Sequence, residues 1–234
     1  MNVTYLNHSG FLLEWDDSYW IFDYFKGEIP AMNPEKDIYV FASHSHHDHF
    51  NSEVFSLSKM YPKVTYIFAE ELKDSCSKLQ KPEILFLENN TDTVIDDLLK
   101  IHTLTSTDLG CAFVIEYKNH TIYHAGDLHW WYWDGEDPEW NNQMTADYKK
   151  EMEYLKGKKL DLVMTPLDPR QGNEYALGMN YLLEIAEVKH AIPMHFWDDF
   201  SIINRYLNEY KVPENTTFHQ ITKDGEKMEV FYEI

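Results

Sequence analysis

The run Ile38-Tyr39-Val40-Phe41-Ala42 constrains this chain most, because it is continuously apolar, rich in strand-forming residues, and leads directly into Ser43-His44-Ser45-His46-His47-Asp48-His49. An unbroken apolar run of that length predicts a strand buried on both faces, as in a parallel sheet. The polar cluster therefore sits at a strand's C-terminal end. Four histidines and one aspartate fall within the six residues from His44 to His49. Imidazole nitrogen and carboxylate oxygen suit zinc, manganese or iron. Alternation beyond the strand puts His44 and His46 on one side, and the following turn presents Asp48 and His49 to an adjacent point. One short loop can thus feed two metal ions.

The remaining pattern predicts strands and helices alternating along the whole length. Strands are expected over residues 3–6, 11–15, 19–22, 37–42 and 64–68, with Asp16-Asp17-Ser18 as a hairpin turn. A helix with Ser52 as N-cap is expected to run to residue 60, and another over 70–79. Residues 83–124 carry no long helical pattern and read as successive strands. Helices over 145–155, 175–188 and 202–210 alternate with strands over 160–165 and 191–194. A closing antiparallel pair, 217–221 with 227–231, is expected around Asp224-Gly225. Two packed sheets with helices outside, an α/β four-layer αββα sandwich, is the architecture this order implies, as one domain over residues 1–234 with no separating linker.

Composition narrows the partners. The 234 residues carry a formal net charge of −20, which repels phosphate backbones and anionic membrane and attracts metal cations. No apolar run approaches the roughly 20 residues of a membrane helix. The opening Met1-Asn2-Val3-Thr4-Tyr5 lacks a secretory pattern, so a cytoplasmic protein is expected. Two cysteines, Cys76 and Cys111, are too few for a disulfide framework and are expected as reduced thiols. Oligomeric state is not encoded in any of these features.

His44-Ser45-His46-His47-Asp48-His49 resembles the H-x-H-x-D-H signature of the metallo-β-lactamase superfamily. His124-Ala125-Gly126-Asp127 resembles its later Gly-Asp element, and Ile192-Pro193-Met194-His195 its final histidine after a strand. Asn7-His8-Ser9-Gly10-Phe11 with Ile21-Phe22-Asp23 is similar to the N-terminal hairpins of the lactonase-like, metal-dependent hydrolase branch. The resemblance implies a pair of divalent metals, zinc first and manganese or iron as alternatives. His44 and His46 would bind the first, Asp48, His49 and His195 the second, and Asp127 would bridge them. His47 fills the variable position and is expected at the surface or behind the ligands.

One departure affects the first metal. The family supplies a third histidine from a loop that here reads Thr103-Leu104-Thr105-Ser106-Thr107-Asp108-Leu109-Gly110 and contains no histidine. Asp108 is the best-placed substitute; the alternatives are a weak or vacant first site, or His102 from the strand itself. The implied reaction is hydrolysis by a water acidified at the metals, with Asp48 orienting it or taking its proton. Among the other histidines, His8, His120, His124, His190 and His219 are expected to be structural or exposed, with His124 the best placed to support a ligand.

Three features bear on the substrate. His129-Trp130-Trp131-Tyr132-Trp133, running on to Trp140, leaves directly from a ligand strand and is read either as a pocket wall or as an aromatic cluster packing a long loop. His129 and Trp131 are candidate substrate contacts, as is Trp197 two residues after His195. Arg170 would either hold a substrate carboxylate or phosphate or pair with Asp168. The expected function is hydrolysis of a small molecule, a lactone or phosphoester. The rivals are a metal-binding sensor of the same fold that has lost turnover and, further off, a di-iron redox protein.

Overall fold

The computed structural model describes residues 1–79 and 81–230. Sheet one contains β1 (Asn2–Asn7), β2 (Gly10–Glu14), β3 (Ser18–Phe22), β4 (Asp37–Ala42), β5 (Val64–Ala69) and β6 (Ile84–Leu87). Sheet two contains β7 (Asp92–Val94), β8 (Leu99–Thr105), β9 (Cys111–Tyr117), β10 (His120–His124), β11 (Lys159–Pro166), β12 (Glu187–Met194) and β13 (Thr217–Phe218). The last strand, β14 (Lys227–Glu229), returns to sheet one beside β1. The sheet orders are β14-β1-β2-β3-β4-β5-β6 and β13-β12-β11-β10-β9-β8-β7. Neighbours from β3 to β6 and from β10 to β13 are parallel, and β4 and β11 are accordingly buried almost throughout.

The helices are α1 (Leu57–Met60, entered through a 3-10 turn at Ser52–Ser56), α2 (Leu72–Cys76), α3 (Pro138–Met152), α4 (Leu177–Ile185) and α5 (Ser201–Glu209). α2 packs on β5, and α4 on β11 and β12. Between the sheets lies an aromatic core: Phe41 meets Phe113 at 5.6 Å, and Trp15 and Trp20 each meet Tyr117 at 5.0 Å. Such pairs add about 0.5–1.5 kcal/mol each beyond the area they bury. The expected αββα sandwich is what forms.

Several expected boundaries differ. The closing hairpin does not exist: β13 pairs in parallel with β12, whereas β14 pairs with β1 in the other sheet. Alternation in both segments satisfies a sheet edge equally well, and nothing local chooses the partner; Phe231, the expected end, lies outside the described residues. The N-cap near residue 52 is Asn51, whose side chain accepts from Glu53 N. α3 starts seven residues before the expected helix, because Asp137 caps it and Pro138 occupies its first turn. The helix expected to reach residue 188 stops at Ile185, and Val188 belongs to β12. α2 is also shorter than its expected span. Among the described residues no helix is long and apolar enough to cross a membrane.

The fold brings loops to one shared edge. β1, β3 and β4 run the same way, so the turn after β1 and the ends of β3 and β4 meet there. β8, β10, β11 and β12 also run alike, so their C-terminal loops converge. The two edges are stitched by Cys111 N donating to Ser43 O at 3.0 Å and His195 N donating to His8 O at 3.1 Å. Gly110 is required at this seam: its φ is +69°, and a Cβ there would stand 1.9 Å from Ser43 O. Gly126, at φ +50°, approaches the same residue, with Ser43 Cβ 2.7 Å from where its own Cβ would be.

Candidate metal centre

Asp127 stands at the middle of the converged loops, buried, on the turn after β10. Its two oxygens face different groups. Oδ2 lies 3.5 Å from His44 Nε2, while Oδ1 lies 3.2 Å from His49 Nε2 and 3.3 Å from His195 Nε2. His44 Nε2 is also 3.1 Å from His46 Nδ1. Two donor groups result: His44, His46 and Asp127 on one side, and Asp48, His49 and His195 with His8 on the other, each with ligating atoms within 4.8 Å of one another. Asp108 Oδ2 lies 3.7 Å from His46 Nδ1, so the expected substitute for the missing histidine faces the first group. His102 does not: it stacks on Tyr154 at 3.8 Å and bonds Asp92. His47 is exposed, as expected of the variable position.

The inward-facing nitrogens are set by groups behind them. His49 Nδ1 pairs with Asp23 Oδ2 at 2.8 Å, His195 Nδ1 with Asp168 Oδ2 at 2.9 Å, and His44 Nδ1 with Ser43 Oγ at 2.9 Å. Asp23 also accepts from Ser43 N and Ser43 Oγ, at 2.7 and 2.6 Å. A single buried carboxylate thus orients two imidazoles, the arrangement that fixes tautomers in metal sites. His124, stacked on Phe22 at 4.9 Å and bonded to Ser9 O, fills the floor beneath. His195 itself holds φ +62°, and Trp197 and Asp198 in the same loop are also left-handed, a strained segment of the kind that persists where the surroundings over-determine it.

The electrostatics favour positive charge at the centre. Burial opposes a charged His49, yet Asp127 and Asp23 on its two nitrogens outweigh burial and lift it to about 10. Burial would likewise raise Asp127, but His49, His195 and His44 hold it well below the usual carboxylate range. Burial dominates at His44 and lowers it to about 3, leaving a neutral donor. Asp108 is raised by burial and by Asp127. Meanwhile His49 Nε2 and Asp127 Oδ1 are buried with no hydrogen-bond partner. Unpaired buried groups of this kind are costly. Borderline nitrogen and oxygen donors that face each other, buried and unpaired, fit divalent cations such as zinc.

Above the donors opens a cavity of about 440 Å³, walled by Trp131, Trp133, Trp140, Met144, Arg170 and Trp197. Trp140 and Met144 lie one turn apart on α3, so the early start of that helix supplies part of the wall. Trp131 stacks parallel to Trp133, donates its indole N–H to Asp127 O at 3.1 Å and packs edge-on to His195. Arg170 bonds Asp168 through Nε and Nη2, and its guanidinium lies 4.6 Å from the centre of Trp197. It therefore both pairs with Asp168 and faces the cavity. His129, expected as a substrate contact, does not line the cavity. It is buried against α4, with Nε2 2.8 Å from Gln171 Oε1 and its ring so close to Gly178 that a Cβ there would stand 2.4 Å from Nδ1.

Sequence reasoning missed Asp23 and Asp168 as orienting carboxylates and left His8 outside the centre. Asp23 did carry a signal, an acidic residue ending an apolar strand just as Ser43 ends β4. His8 carried none beyond its place in a tight turn.

A two-sheet αββα sandwich with histidines and aspartates gathered at one shared edge defines the metallo-β-lactamase fold. The chain belongs to the β-lactamase superfamily: the family model described as "Beta-lactamase superfamily domain" matches residues 2–132. A metal-dependent hydrolase of Desulforamulus reducens is 26% identical over 215 residues, covering 84% of each chain, and one of Korarchaeum cryptofilum is 29% identical over 210 residues, covering 84% of this chain and 83% of its own. The metallo-β-lactamase fold protein YhfI of Bacillus subtilis superposes with a TM-score of 0.64 at 14% identity, over 97% of this chain and 98% of its own. The metallo hydrolase Igni18 of Ignicoccus hospitalis gives 0.63 at 14% identity, over 97% of both chains.

Proposed function

We propose that the protein is a metal-dependent hydrolase of a small molecule, with a lactone or phosphoester as the bond cleaved. The class is supported by the family match and by relatives that carry that description. The observation that carries the reading is the division of Asp127, one oxygen toward His44 and the other toward His49 and His195. In this reading His44, His46 and Asp108 would hold a first divalent ion and Asp48, His49 and His195 a second, Asp127 would be shared, and zinc would be the preferred metal. When bound, such ions lower the pKa of a held water toward ~7 and polarise the oxygen of the scissile group.

The chain's own residues do the rest. Burial would raise the Asp48 carboxyl, but His8 and His49 beside it hold it well below the ordinary range. Asp48, ionised beside the same point, would orient that water or take its proton. Trp131, Trp133, Trp140 and Trp197 exclude solvent and receive an apolar arm of the substrate. Arg170, with Nε and Nη2 committed to Asp168, has Nη1 left for a carboxylate or phosphate oxygen. Two buried free thiols, Cys76 and Cys111, fit a reducing cytoplasmic setting.

The test is a hydrolase screen with lactones, phosphodiesters and thioesters, each with zinc, manganese and iron, alongside metal analysis of the purified protein. Turnover of one class, abolished in Asp127→Ala, is the expected result. Protein that retains no metal and binds none on titration overturns the proposal.

A further inference from the structure

His8 is a buried imidazole with no structural task that accounts for its position. It sits on the turn between β1 and β2 at φ +55°, 3% exposed, in the left-handed region that few non-glycine residues occupy. Its carbonyl accepts from His195 N, which places it beside the last histidine of the centre. Its ring lies 4.1 Å from that of His195 and meets His49 edge-on at 5.4 Å and Trp197 at 4.6 Å. Nε2 approaches Asp48 Oδ2 at 3.3 Å, yet it is buried and meets no acceptor in hydrogen-bond geometry. A core histidine is ordinarily satisfied on both nitrogens or packed against apolar groups. This one is aimed at a carboxylate and two imidazoles that face the same point.

We propose that His8 Nε2 is a further protein donor to the second metal position, joining Asp48, His49 and His195, whose ligating atoms all lie within 4.8 Å of one another and of His8. This rests on the metal-centre reading above. It gives that position three imidazoles and a carboxylate before the shared Asp127 is counted, a donor-rich set beside a first position with two histidines. The second position therefore fills first and holds its ion more tightly. A residue from the N-terminal turn, 187 positions from His195 (195 − 8), would then be tied to the last ligand through the ion as well as through the backbone bond.

The experiment is cobalt(II) titration of metal-stripped protein, followed by calorimetry and by the visible d–d spectrum, for wild type, His8→Gln and His8→Gly. Gln keeps a donor able to bond Asp48 but is a poor metal ligand. Gly suits the left-handed backbone and leaves room for free imidazole. The expected results are a loss in affinity for the first equivalent bound, in both variants, greater than the roughly ten- to hundred-fold that losing a mere supporting partner costs, an altered d–d band, and recovery of the band when imidazole is added to His8→Gly. Wild-type affinity and spectrum in His8→Gln would refute the ligand role and leave His8 as a hydrogen-bond partner of Asp48. Weakened binding that imidazole does not restore, with the band unchanged, would refute it as well. None of these readouts uses turnover, so absence of any hydrolysable substrate would count against the proposed function and not against His8.

Discussion

Replacing Asp23 with asparagine changes one atom in a buried network and should disable the second metal position without unfolding the protein. Asp23 Oδ1 accepts from Ser43 N at 2.7 Å, and Oδ2 accepts from Ser43 Oγ at 2.6 Å and pairs with His49 Nδ1 at 2.8 Å. In Asp23→Asn the Ser43 N–H keeps its acceptor only if the new amide oxygen takes the Oδ1 place. The amide nitrogen then faces His49 Nδ1, which must become an acceptor and move its proton to Nε2. That nitrogen points at Asp127 Oδ1, so its lone pair is no longer offered to a cation. Loss of an orienting partner typically costs about 10–100-fold in metal affinity, or about 1.4–2.7 kcal/mol. Turning a charge-assisted bond into a neutral one costs the fold about 1–2 kcal/mol, a fall of roughly 2–8 °C in melting temperature for a chain of this size. Calorimetric zinc titration measures the first quantity, and nitrogen-15 spectra of the imidazoles report the tautomer. Unchanged affinity together with an unchanged His49 tautomer would refute the reasoning.

Three further outcomes follow from the geometry. Gly110→Ala should cost several kcal/mol, on the order of the largest single-site effects, because the new Cβ meets a backbone carbonyl and φ is +69°; denaturant midpoints check this, and a shift below about 1 kcal/mol contradicts it. Asp108→Ala should lower the content of the first metal while leaving the second, measured as metal per chain after dialysis, and unchanged stoichiometry would remove Asp108 from the ligand set. Acid should weaken the fold through His219, which burial and then His190 push down to about 4 from 6.5. Because the unfolded chain takes up that proton first, stability falls as pH drops from about 6.5 toward 4. His219→Gln should flatten that part of the stability profile, and an unchanged slope between pH 7 and 4.5 would exclude His219 as its source.

Much of the frame was legible because its signals are local. The apolar run before Ser43 announces β4, and the histidines behind it can only lie at its end. The Gly-Asp pair at 126–127 and the histidine after β12 were legible through the family resemblance, and each lies where a buried strand emerges. What was not legible depends on contacts between distant segments. Which sheet edge takes β14 is decided by β1 at the other end of the chain. That His129 faces Gln171 and Gly178 rather than the cavity is decided by the seating of α4 against the turn after β10. His8 looked like any turn residue until the backbone bond from His195 brought it inward. The start of α3 was legible in principle: the aromatic residues carry no helical stripe, although Asp137-Pro138 is a sound N-terminal signal.

The seam at Ser43 has a consequence for how the centre is assembled and lost. Its carbonyl takes the Cys111 N–H, two glycines press against it, and the donors on either side come from different sheets, 44–49 from one and 127 and 195 from the other. Neither sheet owns the centre, so its donors are brought together only where the two sheets are docked. The same parting that exposes the Cys111 amide to solvent would pull Asp127 and His195 away from His49. Exchange of the Cys111 amide would then report the same opening through which an ion held there would leave.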